Sequence, residues 1–175
     1  MVLLAVVVVA HIALAIVLTI QNRKARGSIR YAVTKREPGV EWSSKNMLVL
    51  GMVVLLGLVF HLVHFWYKMM FAELQGAHEV VVGAAMVAPT DGAAIVRYYF
   101  AQWPYLLLYL VWFGGIWLHL THGVWSMMHS LGLNSKVWFK RMKCISWIVA
   151  TVIIGGFALR AIAIFLQENF GILNF

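Results

Sequence analysis

The chain has 175 residues, of which 63% are hydrophobic and only 11% are charged, and its mean hydropathy is +0.86. Soluble domains are about half apolar and about a quarter charged, so this composition excludes the soluble class and indicates a membrane protein. The single cysteine, Cys144, excludes an internal disulfide and an iron–sulfur cluster held by cysteines. The net charge is +8, and nearly all the basic residues lie in loops beside apolar runs. Membrane orientation explains this placement better than a nucleic-acid partner does.

Four stretches reach the length of about 20 mostly apolar residues that a membrane span needs. They are Met1–Ile20, Asn46–Phe71, Ala101–Ser130 and Met142–Leu166. Polar and apolar residues do not alternate in them, which favours helices over strands. We therefore predict an all-α integral membrane bundle of four transmembrane helices, forming a single domain over residues 1–175, with Pro104 in the first turn of the third helix.

Lysine and arginine are concentrated in the loops 21–45 and 131–143, whereas the connector from about Lys68 to Phe100 holds only Lys68 and Arg97. The positive-inside rule therefore predicts that loops 21–45 and 131–143 are cytoplasmic, in a multi-pass protein of the inner (cytoplasmic) membrane. The connector is expected to cross the membrane surface on the outer side. Arg160 falls near the outer end of the last span, where its long stem can reach the interface.

Five histidines fall inside the predicted spans, namely His11, His61, His64, His119 and His122. Ionisable groups at that depth are costly, which makes a functional role the default hypothesis. The alternative is that these imidazoles hydrogen-bond neighbouring helices or line a watery cavity.

Depth along the helices separates the histidines into two groups. At a rise of about 1.5 Å per residue, His11 and His119 lie about 15 Å and about 16 Å from the cytoplasmic face. His61 lies about 22 Å from the start of its helix, in the opposite half of the membrane. The sequence therefore predicts that His11 pairs with His119, and that His61 belongs to a separate site.

Small residues one turn from a ligand leave room for a macrocycle, because positions four apart share one face of a helix. His119 lies between Gly115 and Gly123, and Gly57 precedes His61 by four residues. Glycines also permit plain helix–helix contact.

His122 is open on one side only, and His64 is crowded on both sides, so these two histidines are alternative ligands. Two axial imidazoles leave haem iron without an open position, so such a haem carries electrons. The histidine pattern thus favours bound haem b over an enzyme active site.

The segment His119-Leu-Thr-His-Gly-Val-Trp-Ser-Met-Met-His-Ser-Leu-Gly132 resembles the haem-bearing helix of succinate dehydrogenase and fumarate reductase cytochrome b subunits. The stretch around His11, running into Gln21-Asn-Arg-Lys-Ala-Arg26, is similar to the second helix of that family. Val59-Phe-His-Leu-Val63 resembles the ligand-bearing fourth element of its single-chain, di-haem type. Lys140-Arg-Met-Lys143, followed by an apolar helix, resembles its last span.

The resemblance implies a non-catalytic anchor subunit that binds a flavoprotein subunit and an iron–sulfur subunit at its cytoplasmic face. Electrons would pass through haem to or from a quinone, expected to be menaquinone, while the dicarboxylate chemistry takes place on a partner subunit. The haem nearer the soluble subunits would be held by His11 and His119, and the outer haem by His61. One haem is expected in this chain and two in an intact protein of the family.

Two features depart from the family pattern. The family has five spans, and the span without a counterpart here is the first one, which supplies the second ligand of the outer haem. We therefore expect a truncated start. Trp117 stands where some di-haem relatives carry a glutamate.

Trp125 and Ser126 are candidates for a quinone pocket, and the basic loops are candidates for docking an iron–sulfur partner, meeting haem propionates or touching anionic lipid. Two other functions stay open at this point. One is a cytochrome b subunit of another quinone-linked complex, such as a hydrogenase or a formate dehydrogenase. The other is a haem-free transporter or assembly protein whose histidines line a polar path.

Overall fold

The computed structural model describes residues 2–27, 42–133 and 135–172. The chain divides into two compact units, Met1–Leu48 and Val49–Phe175. In the first unit, α1 spans Val2–Arg26 and a short helix, α2, spans Trp42–Lys45. Helix α1 carries valine, leucine, isoleucine and alanine almost throughout and ends in a basic turn, as expected for a membrane span.

The second unit contains the remaining long helices. Helix α3 (Met47–His61) begins at the boundary and continues without a break into a π-helix (Leu62–Phe71) and a last short turn, α4 (Ala72–Leu74). A hairpin of β1 (Val80–Val82) and β2 (Ala85–Val87) follows, and then α5 (Gly92–Phe100). The chain ends with two long helices, α6 (Trp103–Ser130) and α7 (Lys136–Phe170), which pack against each other.

Among the described residues, four helices are long and apolar enough to cross a membrane: Val2–Arg26, Met47–Leu74, Trp103–Ser130 and Val137–Phe170. They coincide with the four predicted spans, so the helical, multi-pass membrane class is confirmed. Pro104 lies in the first turn of α6, also as predicted. Helix α7 begins six residues before the predicted residue 142, because the Ser135 hydroxyl accepts a hydrogen bond from the Trp138 amide at 3.3 Å and caps the helix there.

The connector between the second and third spans is ordered into structure that the sequence analysis did not predict. Val82 pairs with Ala85, so a two-residue turn closes the hairpin, with Gly83 at a φ of 64° that favours glycine. A Cβ atom on Gly83 would overlap the ring of Tyr98, so α5 packs directly against this turn. The Asp91 carboxylate caps α5 by accepting a hydrogen bond from the Ala94 amide at 3.0 Å.

The hydrophobic core of the second unit lies beneath this connector, at what we call the hairpin end (residues 72–102 and the helix ends they cover). Its buried members come from the π-helix, β1, α5, α6 and α7. They are Phe65, Val82, Ile95, Tyr99, Phe100, Tyr109, Ala161 and Ile164. The opposite end, formed by the loop between α6 and α7 and its flanking turns, is called the basic-loop end.

Candidate functional site

A cavity of about 610 Å³ lies in the second unit, between the π-helix, α5, α6 and α7. Aromatic, methionine and aliphatic side chains form almost all of its wall. His61 and Arg160 supply the only basic groups among the described residues that line it. Its size falls in the range of about 300–1,000 Å³ that is usual for small-molecule and cofactor sites.

The π-helix decides which side chains of the second membrane helix reach this cavity. From this helix the lining residues are His61, then Phe65 and Trp66, then Met69 and Met70, at steps of four or five residues. Hydrogen bonds from i to i+5 give a π-helix more residues per turn than the 3.6 of an α-helix, so positions four to five apart share a face.

An α-helix over the same residues would bring different side chains to the face of His61. Positions three to four apart would then align, and His64 and Lys68 would move toward the cavity. The π-helix instead turns both toward α5. It keeps the cavity wall aromatic and apolar on this side.

Aromatic rings surround the His61 imidazole. Its ring centroid lies 5.3 Å from that of Phe65, 5.5 Å from that of Trp112 and 6.5 Å from that of Tyr109. No hydrogen bond joins His61 to another residue in the described part of the chain. Among the described residues, ring packing therefore holds its imidazole on the cavity wall.

Trp112 forms the wall beside His61 and explains the glycine one turn earlier. A Cβ atom on Gly57 would overlap the indole ring of Trp112, and the Trp112 Nε1–H donates a hydrogen bond to the Val54 carbonyl at 3.0 Å. The room that Gly57 leaves is therefore filled by an indole of this chain. Contact of Gly57 with a cofactor stays a prediction.

His64 is held away from the cavity by tyrosines. Its Nδ1 lies 3.2 Å from the Tyr109 hydroxyl, and its ring stacks on Tyr99 with the centroids 4.5 Å apart. On the next turn the Lys68 ammonium donates a hydrogen bond to the Val81 carbonyl of the hairpin at 2.7 Å. These contacts give His64 and Lys68 a role in fastening the connector to the membrane helices, and ligation by His64 stays a prediction.

His119 lies in a different kind of environment, a close contact between α3 and α6. Its Cε1 atom is 3.8 Å from the position that a Cβ on Gly51 would take. On the preceding turn Gly115 is buried, and a Cβ there would come within 2.9 Å of Val53 Cγ1. Gly123, on the following turn, is half-buried. Small residues thus bring the two helices together around His119.

The remaining α6 candidates tie α6 to α7 at the basic-loop end. His122 is buried, and its ring meets that of Trp125 edge-on with the centroids 4.7 Å apart. Trp125 packs in turn against Phe139, and the Lys143 ammonium lies 5.9 Å from the centroid of the Trp125 ring. Its Nε1 is buried without a hydrogen-bond partner among the described residues. Half-buried Ser126 is adjacent in sequence.

Trp117 has a structural explanation. Its Nε1–H donates a hydrogen bond to the Thr151 hydroxyl at 2.9 Å, and its ring meets that of Trp147 edge-on with the centroids 4.5 Å apart. Nearby, the Ser146 hydroxyl donates to the Thr121 carbonyl at 3.4 Å. These bonds join α6 to α7 near the middle of both helices.

His11 lies on α1 in the first unit, and His119 lies in the second. The predicted pairing of these two histidines stays a prediction. Three basic residues of the first loop, Arg30, Lys35 and Arg36, lie outside the described residues. No group of three His, Cys, Asp or Glu side chains comes together as metal ligands over residues 2–27, 42–133 and 135–172. Haem iron needs one or two axial ligands, so a haem site does not require such a group.

The cavity itself, Arg160 on its wall and the roles of Trp112 and Tyr109 were missed by the sequence analysis. One signal for the α7 wall was present, since Ile154, Phe157, Ala161 and Ile164 recur at helical spacing. The signal is weak in a helix that is apolar on every side.

Comparison with protein families, with curated proteins and with solved structures finds no match to this chain.

Proposed function

We propose that this chain is the membrane anchor and haem b electron-transfer subunit of a succinate:quinone oxidoreductase (succinate dehydrogenase or fumarate reductase). The observation that carries the proposal is the 610 Å³ cavity at the hairpin end, which has the His61 imidazole and the Arg160 guanidinium on an otherwise aromatic and apolar wall. Haem b with histidine ligation supplies one-electron transfer. The chain would pass electrons between an iron–sulfur subunit and a quinone, with menaquinone as the expected substrate.

The residues around the cavity suit a large planar cofactor. Imidazole is a usual axial donor to haem iron, and His61 presents one without a competing hydrogen bond among the described residues. Flat rings of Phe65, Trp112 and Phe113 line the cavity, and apolar burial is one of the means by which a protein sets a haem potential. Met69 and Met70 add adaptable side chains that fill irregular gaps around a ligand.

Each of these residues has a separate task in the proposal. His61 binds the iron, Phe65 and Trp112 hold the His61 ring by packing on it, and the connector covers the hairpin end of the unit. The π-helix keeps Lys68 off the cavity face by directing it to the Val81 carbonyl. The Lys68 ammonium is thereby kept away from the iron ligand.

A second haem site, nearer the basic-loop end, belongs to the same proposal. His119 would bind there together with His11, and Gly115 and Gly123 would leave room beside it. His122 and His64 remain alternative ligands. The support for this site is the depth of the two histidines and the small residues around His119, which already serve the contact between α3 and α6.

The orientation and partners follow from charge. The loops 21–45 and 131–143 would lie in the cytoplasm of an inner-membrane protein and dock the iron–sulfur and flavoprotein subunits. The hairpin end would then lie on the outer side. Membrane lipid would surround the long helices, and we propose no nucleic-acid partner.

A reduced-minus-oxidised absorption spectrum, with haem quantified as the pyridine haemochrome, tests this function. The chain is expressed with its partner subunits and compared with His61→Ala, His119→Ala and the control His78→Ala, an exposed loop histidine. We expect a sharp haem b band in the parent and the control, and less haem per chain in His61→Ala and in His119→Ala. A folded parent without haem would contradict the proposal and favour the transporter or assembly alternative.

A further inference from the structure

Arg160 is a charged side chain inside a membrane helix and on the wall of the cavity. It lies ten residues before the end of α7, about 15 Å along the helix axis. Its neighbours on the wall are Phe157, Ala161 and Ile164, all apolar. Moving an arginine into a membrane is costly, so such residues as a rule pair with another group or line a cavity.

The described part of the chain supplies no counter-charge to Arg160. No ion pair or hydrogen bond joins its guanidinium to another described residue. The described carboxylates, Glu73, Glu79, Asp91 and Glu168, are exposed in the connector or at the end of α7. An anionic oxygen that the described residues do not supply is therefore the partner that fits this guanidinium.

Two sources can provide such an oxygen: a carboxylate of a molecule in the cavity, or the phosphate of a lipid headgroup that the long stem reaches at the interface. Arg160 lines the same cavity as His61, which favours the first source. Guanidinium binds carboxylates through two parallel hydrogen bonds, a geometry that lysine cannot match.

We propose that Arg160 binds a propionate carboxylate of the haem in the His61 cavity. This inference rests on the proposed function and deepens it, because it names a residue that binds the edge of the haem in addition to the residue that binds its iron. His61 fixes the centre of the macrocycle, and Arg160 fixes one edge. The pair sets which edge of the macrocycle faces α7.

A cation at this position also affects the electron affinity of the cofactor. Reduction removes one positive charge from the iron centre, and a nearby guanidinium favours the form with less positive charge. Replacing Arg160 with a neutral residue is therefore expected to lower the midpoint potential of the cavity haem.

The test is a redox titration of the full chain and of Arg160→Gln. The titration is monitored at the haem absorption bands that are lost in His61→Ala. Arg160→Lys keeps the charge and loses the two-bond geometry, and Arg97→Gln removes an exposed arginine of α5 that is not part of the cavity wall. We expect a lower midpoint potential in Arg160→Gln, a partial return in Arg160→Lys and no change in Arg97→Gln.

A second measurement separates the carboxylate from the lipid phosphate. The haem-free chain is titrated with haem and with its dimethyl ester, in which both propionates are blocked. The parent should bind the ester at least tenfold more weakly, whereas Arg160→Gln should bind both alike, as a double-mutant cycle requires for a direct contact. Equal binding by the parent, or an unchanged potential in Arg160→Gln, would overturn the inference and leave lipid as the partner. Both measurements require a parent chain that binds a haem which His61→Ala loses. If the proposed function fails, the parent has no such haem to titrate, and this result differs from the one that overturns the role of Arg160.

Discussion

The surroundings of His61 and of His119 show how one sequence pattern gives two different environments. Each histidine has a glycine four residues before it, and in each case another side chain fills the room that the glycine leaves. At Gly57 it is the indole of Trp112, which forms a wall of the cavity, and at Gly115 it is Val53, which brings α3 against α6. A glycine beside a membrane histidine therefore indicates close packing, and the residue that packs there decides whether a cavity forms.

The largest contrast is expected from single-residue deletions in the two helices. Removing exposed Val63 from the π-helix lets the segment become α-helical while Phe65, Trp66 and Met69 stay on the face of His61. Removing exposed Val111 from α6 rotates everything beyond it by about 100° relative to the preceding turns. We expect the first variant to keep its cavity haem and the second to lose it, as measured by haem per chain. Loss of haem on deletion of Val63 would contradict the role given to the π-helix.

Three glycine-to-alanine variants compare the contacts beside His61 and His119 by their effect on the stability of the protein. Gly57→Ala places a Cβ inside the Trp112 ring and should cost about 1–3 kcal/mol. Gly115→Ala should cost less, because the Val53 side chain can move away. Gly114→Ala meets nothing within 4 Å and should be neutral or stabilising by up to about 1 kcal/mol. Thermal unfolding in detergent measures all three, and equal effects would show that neither contact is tight.

Trp112→Phe tests whether the indole hydrogen bond holds the cavity wall. The variant keeps an aromatic ring and loses the bond to the Val54 carbonyl. Bonds between side chains and helices in membranes contribute about 0.6 kcal/mol on average and about 1.7 kcal/mol at most. We expect a loss of stability in that range and a shifted cavity haem spectrum, with the His119 component unchanged. A shift in both components would mean that Trp112 acts on the whole bundle.

A small effect is expected from Tyr109→Phe. This change removes the hydroxyl that bonds His64 and leaves the ring that lines the cavity. Stability should fall by about 0.6 kcal/mol, and the haem content should not change. If Tyr109→Phe lowers the haem content as much as His61→Ala does, then His64 takes part in ligand binding and the division between the two histidines is wrong.

The sequence was a good guide to the four membrane helices, because a run of about 20 apolar residues has few other stable forms in lipid. It was a poor guide to the connector, where Val80–Val82 and Ala85–Val87 are too short to show a clear alternation. The sequence also did not show which side chains of the second membrane helix share a face beyond His61. Helical wheels assume 3.6 residues per turn, and the π-helix after His61 changes which side chains share a face.

Arg160 shows a further limit of hydropathy. Near the end of an apolar helix it was expected to reach the interface, and only the packing of α5, α6 and α7 places it on a cavity wall together with His61. The pairing of His11 with His119 depends on the arrangement of different helices, which depth along each helix does not determine. That pairing stays a prediction.

The central claim is that the His61 imidazole binds iron in the cavity, and chemical rescue tests it most directly. His61→Gly removes the imidazole and leaves a space that free imidazole can enter. We predict that the variant loses haem, and that added imidazole restores the haem and its spectrum while the control His78→Gly needs no rescue. A His61→Gly variant that keeps the parent's haem, or that stays folded by circular dichroism yet regains none with imidazole, would contradict the account.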